Sequence, residues 1–236
     1  MNFIGDFHVH TVASGDAFCT IDEISKRARH LGLKVLAITD HGPAMPASSH
    51  RYYFNSLVDN VKKSNGIKIL SGVEANIIDE DGTLDLPKDT IARLSFVIIS
   101  FHGFSWIGND IESNTGGLIN CINNYDNVKT IAHLNNPYYE IDIEKITPLI
   151  AEKKIAIELN NKALKGSKKG WKSFKDKICY MDRHGVKFVV SSDAHNLDQV
   201  GVFDEALDFI DYCKLDEQNI LNTSMEKLKD YLELDL

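Results

Sequence analysis

The residues best placed to do chemistry in this chain are histidines and carboxylates that follow short apolar runs. The first group is Asp6-Phe7-His8-Val9-His10-Thr11. If the opening residues form a strand, side chains two apart share a face, so His8 and His10 point the same way, with Asp6 behind them. Two imidazoles so placed can hold one metal ion between them. Taken alone, His-x-His is explained equally well by two hydrogen-bonded histidines. Later groups decide between the two readings: His41 follows Val35-Leu36-Ala37-Ile38, Glu74 follows Ile67 to Leu70, and His102 follows Phe96 to Ile99. His133 follows Val128 to Ile131, and Asp193 and His195 follow Lys187 to Val190.

The apolar runs are the elements that must position these groups. Strands are expected to start near residues 3, 35, 67, 96, 128, 155 and 187, spaced like strand-plus-helix units. The clearest helix runs from Thr20 to Leu31. Thr20 and Glu23 form a capping box, Ile21, Ile24, Ala28 and Leu31 recur at helical spacing, and Gly32 ends it. Further helices are expected at Tyr52 to Lys63, Lys88 to Leu94, Thr115 to Asn124, Asp142 to Lys153 and Trp171 to His184. Pro148 predicts a kink or break, with Thr147 as a fresh N-cap. Two more helices, Gln199 to Tyr212 and Met225 to Leu232, follow the last strand without an eighth. Seven near-continuous apolar strands alternating with helices predict an α/β fold, a distorted seven-stranded parallel (β/α)7 barrel related to the TIM barrel. Residues 1–236 read as a single domain of this kind, with C-terminal helices of about 199–236 packed on it.

In a parallel barrel the reactive groups belong at the C-terminal ends of the strands. Three-residue windows at seven strand ends cover 21 of 236 positions, so about one of the nine histidines would fall there by chance. Six do: His8, His10, His41, His102, His133 and His195. With Glu74 and Asp193 they make a set that, buried without metal, would repel when charged and leave polar atoms unpaired. The set also exceeds what one ion needs, which implies two or more. His30 and His184 precede helix-ending glycines, where a cation suits the helix dipole. His50, beside Arg51, reads more readily as a loop residue than as a substrate contact.

Composition limits the partners. The chain has 26 basic and 34 acidic residues, a formal charge of −8 and a pI near 5.6. Its densest basic stretch, Lys165 to Lys175, is too sparse for a nucleic-acid footprint, and no membrane adhesion is expected. Cys19, Cys121, Cys179 and Cys213 are scattered like reduced thiols of a cytoplasmic protein. Neither export nor a membrane span is expected, since Met1 to Gly5 do not read as a basic-then-apolar leader and no apolar run approaches roughly 18 residues.

The stretches His8-Val9-His10-Thr11, Thr39-Asp40-His41-Gly42, Gly72-Val73-Glu74-Ala75-Asn76, Phe101-His102, His133 and Ser192-Asp193-Ala194-His195 together resemble the polymerase and histidinol phosphatase (PHP) family. The small size and Asn76 after Glu74 resemble its compact freestanding bacterial phosphatases. The resemblance implies two to three divalent ions, usually zinc, with manganese or iron as alternatives. It implies that His8, His10, Glu74 and Asp193 bind the first ion, that Glu74 bridges to a second held by His102 and His133, and that His41 and His195 serve a third. Asp16 stands where relatives often carry another histidine, and can supply an oxygen ligand instead.

A divalent ion lowers the pKa of bound water and clamps phosphate oxygens, which suits phosphate-ester hydrolysis. The expected activity is therefore that of a metal-dependent phosphatase. A metal-activated hydroxide, held through His8, His10, Glu74 and Asp193, would attack a small phosphate ester. Asp6 is a candidate to orient an imidazole, Glu158 and Asn160 to line the pocket, and Arg51 and Lys162 to meet the substrate. An amidohydrolase, a nuclease and a non-catalytic metal-stabilised binding module are the alternatives. The substrate and the oligomeric state stay open.

Overall fold

A computed structural model describes residues 1–106, 110–166 and 168–233. Seven parallel strands build the barrel in the order β1 (Gly5–Val9), β2 (Val35–Ile38), β4 (Ile67–Asn76), β5 (Phe96–Ser100), β6 (Val128–Ile131), β7 (Ala156–Asn160) and β8 (Phe188–Ser191). A two-residue strand, β3 (Lys63–Ser64), pairs antiparallel with the start of β4. The helices are α1 (Ile21–His30), α2 (Arg51–Asn60), α3 (Lys88–Arg93), α4 (Ile111–Asn124), α5 (Ile143–Glu152), α6 (Asn161–Gly166), α7 (Trp171–Arg183), α8 (Asp204–Cys213) and α9 (Met225–Leu232). No helix among the described residues is long and apolar enough to cross a membrane.

Strand parity sorts the side chains into two layers. Leu36, Ile38, Ile69, Val73, Val97 and Ile99 face outward and pack with helix residues such as Ile24, Leu57 and Ile146. Inside the barrel, Phe7, Val35, Ala37, Leu70, Phe96, Ile98, Ala156 and Val189 form a second core. Leu228, Tyr231 and Leu232 of α9 complete that inner core, and the Tyr231 hydroxyl donates to the Lys129 carbonyl. The inward columns change character along each strand. Leu70 gives way to Glu74, Phe96 and Ile98 to Ser100, Ala156 to Glu158, and Val189 to Ser191. The barrel is therefore apolar where α9 plugs it and polar at the opposite rim.

The seam between β1 and β8 closes by an unusual route. One bridge, Val9 to Ala194, joins them, and the His10 N–H donates to the Ala194 carbonyl at 2.9 Å. Lower down, the fully buried Asn222 stands in for an eighth strand. Its Nδ2 donates to the carbonyls of Gly5 (3.0 Å) and Val190 (2.8 Å), and its Oδ1 accepts from the Val190 N–H at 3.1 Å. Each buried backbone group at the gap thus meets a partner that strand pairing does not supply.

Several expected boundaries shift. The helix expected to reach Lys63 stops at Asn60, because Lys63 enters β3. The α4 helix starts at Ile111 under an Asp110 N-cap, four residues before Thr115. The helix expected from Gln199 begins at Asp204, and residues 234–236 lie outside the described residues. The segment directly after β7 forms a further short helix, α6. The break expected at Pro148 does not occur. One helix runs through it under an Asp142 N-cap, and the Thr147 hydroxyl bonds back to the Ile143 carbonyl instead of capping a new start. Burial of Ile143, Ile146 and Ile150 along one face outweighs the single backbone bond that proline removes.

Candidate metal centre

All eight strand-end groups singled out by spacing converge on the polar rim. Glu74 lies at the middle, fully buried, within 3.3 Å of His8 Nε2, 2.8 Å of His41 Nδ1, 3.4 Å of His102 Nε2 and 3.1 Å of His133 Nε2. Backbone pairing brings His41 there: Gly42 N–H donates to the Glu74 carbonyl and Glu74 N–H to the Asp40 carbonyl. At Gly42 a Cβ would sit 2.4 Å from the Asp85 carboxylate, so a side chain there would push the two segments apart.

Two ligand-type side chains depend on left-handed backbone. His133 follows the inward-facing Ala132 and would point outward by strand parity, but its φ of 57° turns the chain. Asp193 has φ 56°. Such conformations cost a non-glycine residue of order 1 kcal/mol or more and concentrate at functional sites. Gly15, at φ 85°, makes the turn before Asp16. Asp16 Oδ2 then lies 3.4 Å from His41 Nε2 and 3.3 Å from His195 Nε2.

The hydrogen bonds on the outer side of the imidazoles set their tautomers. His8 Nδ1–H donates to the Glu158 carboxylate at 2.6 Å, which Ser191 and Asn160 also serve as donors. Ser14 donates its single hydroxyl proton to Asp40 and accepts from the His41 backbone N–H, so toward His10 it can only accept. His10 Nδ1–H therefore donates to it at 2.8 Å. Asn76 spends its amide protons on Asp85, leaving its Oδ1 to accept from His102 Nδ1–H at 2.7 Å. In each case Nε2 is left with its lone pair toward Glu74 or Asp193.

These inner atoms are where a metal fits. His8 Nε2, His10 Nε2, His41 Nδ1 and Glu74 Oε2 are buried without a hydrogen-bond partner, although His41 Nδ1 and Glu74 Oε2 approach each other. Unpaired buried polar atoms are costly and rare in folded proteins. Four overlapping sets have their ligand atoms within 4.8 Å of one another: His8, His10 and Asp193; His8, Glu74 and His133; His41, Glu74 and His102; and His10, Asp16, His41 and His195. Burial would raise the Glu74 carboxyl, but the charges of His8, His102 and His41 outweigh it and hold it well below the usual range. Burial would lower His41, but Glu74 and Asp16 raise it to about 10; His8 is likewise raised by Glu158, Glu74 and Asp193. His10 and His102 are held down, to about 3 and about 4, mainly by burial. Without metal the centre thus holds His8 and His41 protonated beside neutral His10 and His102; once a metal displaces those protons, imidazoles and anionic carboxylates make a donor set suited to divalent zinc, manganese or iron.

The other expected contacts divide. Glu158 and Asn160 do face the centre, and Asn160 Nδ2 bridges Glu158 and Asp193 at 3.0 and 3.2 Å. Asp6 does not orient an imidazole. Between Asp6 and Val9, β1 carries one residue more than β2, and this bulge turns Asp6 outward while His8 and His10 face in. Its carboxylate accepts from Ser192 N–H, the Ser192 hydroxyl and Gly201 N–H, fastening β1 to the chain after β8. Ser192 is thereby turned away from the centre. Lys162, on α6, lines a cavity of about 340 Å³ above the centre, its Nζ 3.0 Å from His195 Nδ1 and 3.7 Å from Asp193 Oδ1. Arg51 is the exposed first residue of α2 and does not line that cavity, while His50 caps the same helix through Nδ1. Sequence reasoning missed Ser14, the Asp40 carboxylate and Asp85, whose roles arise from contacts across 26, 29 and 9 residues of chain.

The chain is a parallel α/β barrel with imidazoles and carboxylates gathered at its C-terminal rim, in groups that could hold metal ions. The chain belongs to the PHP domain family, whose model matches residues 6–192. It is 42% identical to a probable phosphatase of Caldanaerobacter subterraneus subsp. tengcongensis, over 99% of this chain and 92% of that protein. A probable phosphatase of Acetivibrio thermocellus is 39% identical, with 99% and 96% covered. Among solved structures, histidinol phosphate phosphatase from Lactococcus lactis subsp. lactis, complexed with zinc, L-histidinol and phosphate, superposes with a TM-score of 0.59. At 19% identity, over 90% of this chain and 94% of that one, this is a likeness of fold.

Proposed function

We propose that the protein is a metal-dependent phosphoric monoester hydrolase acting on a small phosphorylated molecule. The observation that carries this reading is the cluster of unpaired buried ligand atoms on His8, His10, His41 and Glu74, next to a cavity that His41, His102, His133, Asp193 and His195 line. The names of the relatives, and the zinc and phosphate of the Lactococcus enzyme, agree with it. His8, His10, Glu74 and Asp193 would hold one ion; Glu74, His102 and His133 a second; and Asp16, His41 and His195 a third. Zinc is the proposed metal, at two to three ions per chain, with manganese or iron as alternatives. The bound ions supply acidified water and the positive charge that stabilises phosphate oxygens as the ester bond breaks. Glu158, Ser14 and Asn76 keep the imidazoles aimed inward, and Lys162 meets outer phosphate oxygens with its ammonium group. Residues 1–236 act as one domain, without nucleic acid or membrane as partner. A reducing cytoplasm suits the four free cysteines.

The test is elemental analysis of purified protein joined to a phosphate-ester panel at several pH values. Two or three ions per chain and turnover of at least one monoester are expected; fewer than two ions under metal-replete conditions would overturn the cluster. Asp193→Asn and His10→Ala are each expected to lose roughly a hundredfold or more of the activity, since each removes a proposed ligand. Activity surviving in either would overturn the assigned site.

A further inference from the structure

The hollow surface does not end at the metal centre. The cavity above it has two walls, one from the chain after β6 (His133 and Asn136) and one from α6 (Lys162 and Ala163). The chain after β6 also borders a second groove of about 290 Å³, which shares Asn136 with the first and whose other wall is the turn at Lys169 and the start of α7. There the first wall carries Pro137 and Glu140, and the second carries Lys169, Ser173 and Lys177 around Leu134 and Phe174. The two hollows therefore adjoin at Asn136.

The charge along this groove runs against that of the whole chain. The molecule carries −8, yet residues 165–177 contain six lysines and a single acid, Asp176. Lys175 is committed elsewhere, donating to the Tyr212 carbonyl at 2.7 Å and lying over the Tyr212 ring. Lys169 and Lys177 have no carboxylate partner among the described residues, and both line the groove. Glu140 is the one acidic lining residue, so two ammonium groups face one carboxylate. Unpaired cations in an adjoining groove, with the Ser173 hydroxyl beside them, match an anionic oxygen-bearing group.

We propose that this groove is a second anionic subsite, and that the substrate is a phosphate monoester bearing a further phosphate or carboxylate away from the scissile bond. The proposal rests on the phosphatase reading for the scissile end only. The subsite adds binding energy remote from the reacting phosphorus, which orients the ester before the bond breaks.

The test uses metal-loaded protein and phosphonates that cannot be hydrolysed, so binding is read without turnover. Alkyl phosphonates are compared by calorimetry with α,ω-alkane diphosphonates and ω-carboxyalkyl phosphonates of increasing chain length. A diphosphonate or carboxyalkyl phosphonate of suitable length is expected to bind at least tenfold tighter than the alkyl phosphonate, and the better of the two names the second group. Lys169→Ala with Lys177→Ala should remove most of that advantage and leave alkyl phosphonate binding within twofold; Lys169→Arg with Lys177→Arg should keep it. Equal affinity for all three ligand classes at every length, or an advantage that survives the double alanine variant, overturns the subsite. The phosphatase reading is judged separately: if no ester turns over while the second anion still tightens binding, the subsite stands and the reaction assignment falls.

Discussion

His8 shows how a single imidazole becomes a ligand-type group. Spacing places it on a strand end, but Glu158, 150 residues away, takes its Nδ1–H and aims the other nitrogen inward. Glu158→Ala is expected to keep the fold and weaken zinc binding about 10- to 100-fold, the usual effect of losing a carboxylate behind a histidine ligand. Competition with a zinc-binding dye would measure it, and unchanged affinity would remove Glu158 from the centre. A second expectation concerns protons. In the metal-free centre His41 is raised to about 10 and His8 well above its ordinary value, so both are protonated at pH 7. A metal must displace those protons, so its affinity rises with pH up to the raised values, and zinc uptake at pH 7 should release at least two protons per chain. Titration in weak buffer with a pH indicator checks the number; uptake without release would place the metal elsewhere. The residues that gather at the rim were legible in the sequence because histidines and carboxylates recur there at strand ends. Ser14 and Asp85 were not, since a serine and an aspartate in loops acquire a role only from what folds against them.

At the scale of elements, the barrel seam and α5 make separate claims. Asn222 replaces strand pairing with three side-chain hydrogen bonds in a fully buried position. Asn222→Ala should cost about 3 kcal/mol in chemical denaturation, because it leaves backbone groups of Gly5 and Val190 unpaired. A cost near zero would mean that the Val9–Ala194 bridge and the Asp6 contacts hold the seam without Asn222. Pro148 is exposed inside α5, so replacing it removes little packing and restores an N–H to the helix. Pro148→Ala should stabilise the protein by about 1–3 kcal/mol, less the entropy that proline takes from the unfolded chain. Destabilisation would show that the ring makes a contact the helix needs. The period of strands and helices was readable along the chain, whereas the uninterrupted α5 was not. Local propensity argues for a break there, and burial of one isoleucine face overrides it.

For the molecule as a whole, the proposed metal centre and the core would be separate sources of stability. Ligand-type residues come from β1 and from the segments after β2, β5, β6 and β8, with Glu74 in β4, so bound ions would tie most of the rim together. Removing them with a chelator should lower the unfolding free energy, and with it the melting temperature, by an amount that depends on free metal, about 2.7 kcal/mol per site for metal at a hundred times its Kd. The apo protein should still unfold cooperatively, because the inner core and the α9 plug lie at the other end of the barrel. A chelator-induced loss of near-UV dichroism at room temperature would show instead that the fold depends on metal.

Taken by itself, the sequence determined the barrel class and which histidines and carboxylates meet at the rim, because apolar periodicity and the placing of histidines at strand ends are properties of neighbours in the chain. It did not determine where Asp6 faces, since one bulged residue in β1 reverses strand parity and no local signal marks the bulge. Nor did it determine the tautomers, the left-handed turn that brings His133 inward, or the lysines that line the adjoining groove. Those depend on atoms brought together across the barrel, where hydrogen-bond satisfaction and packing choose the geometry and local preference does not.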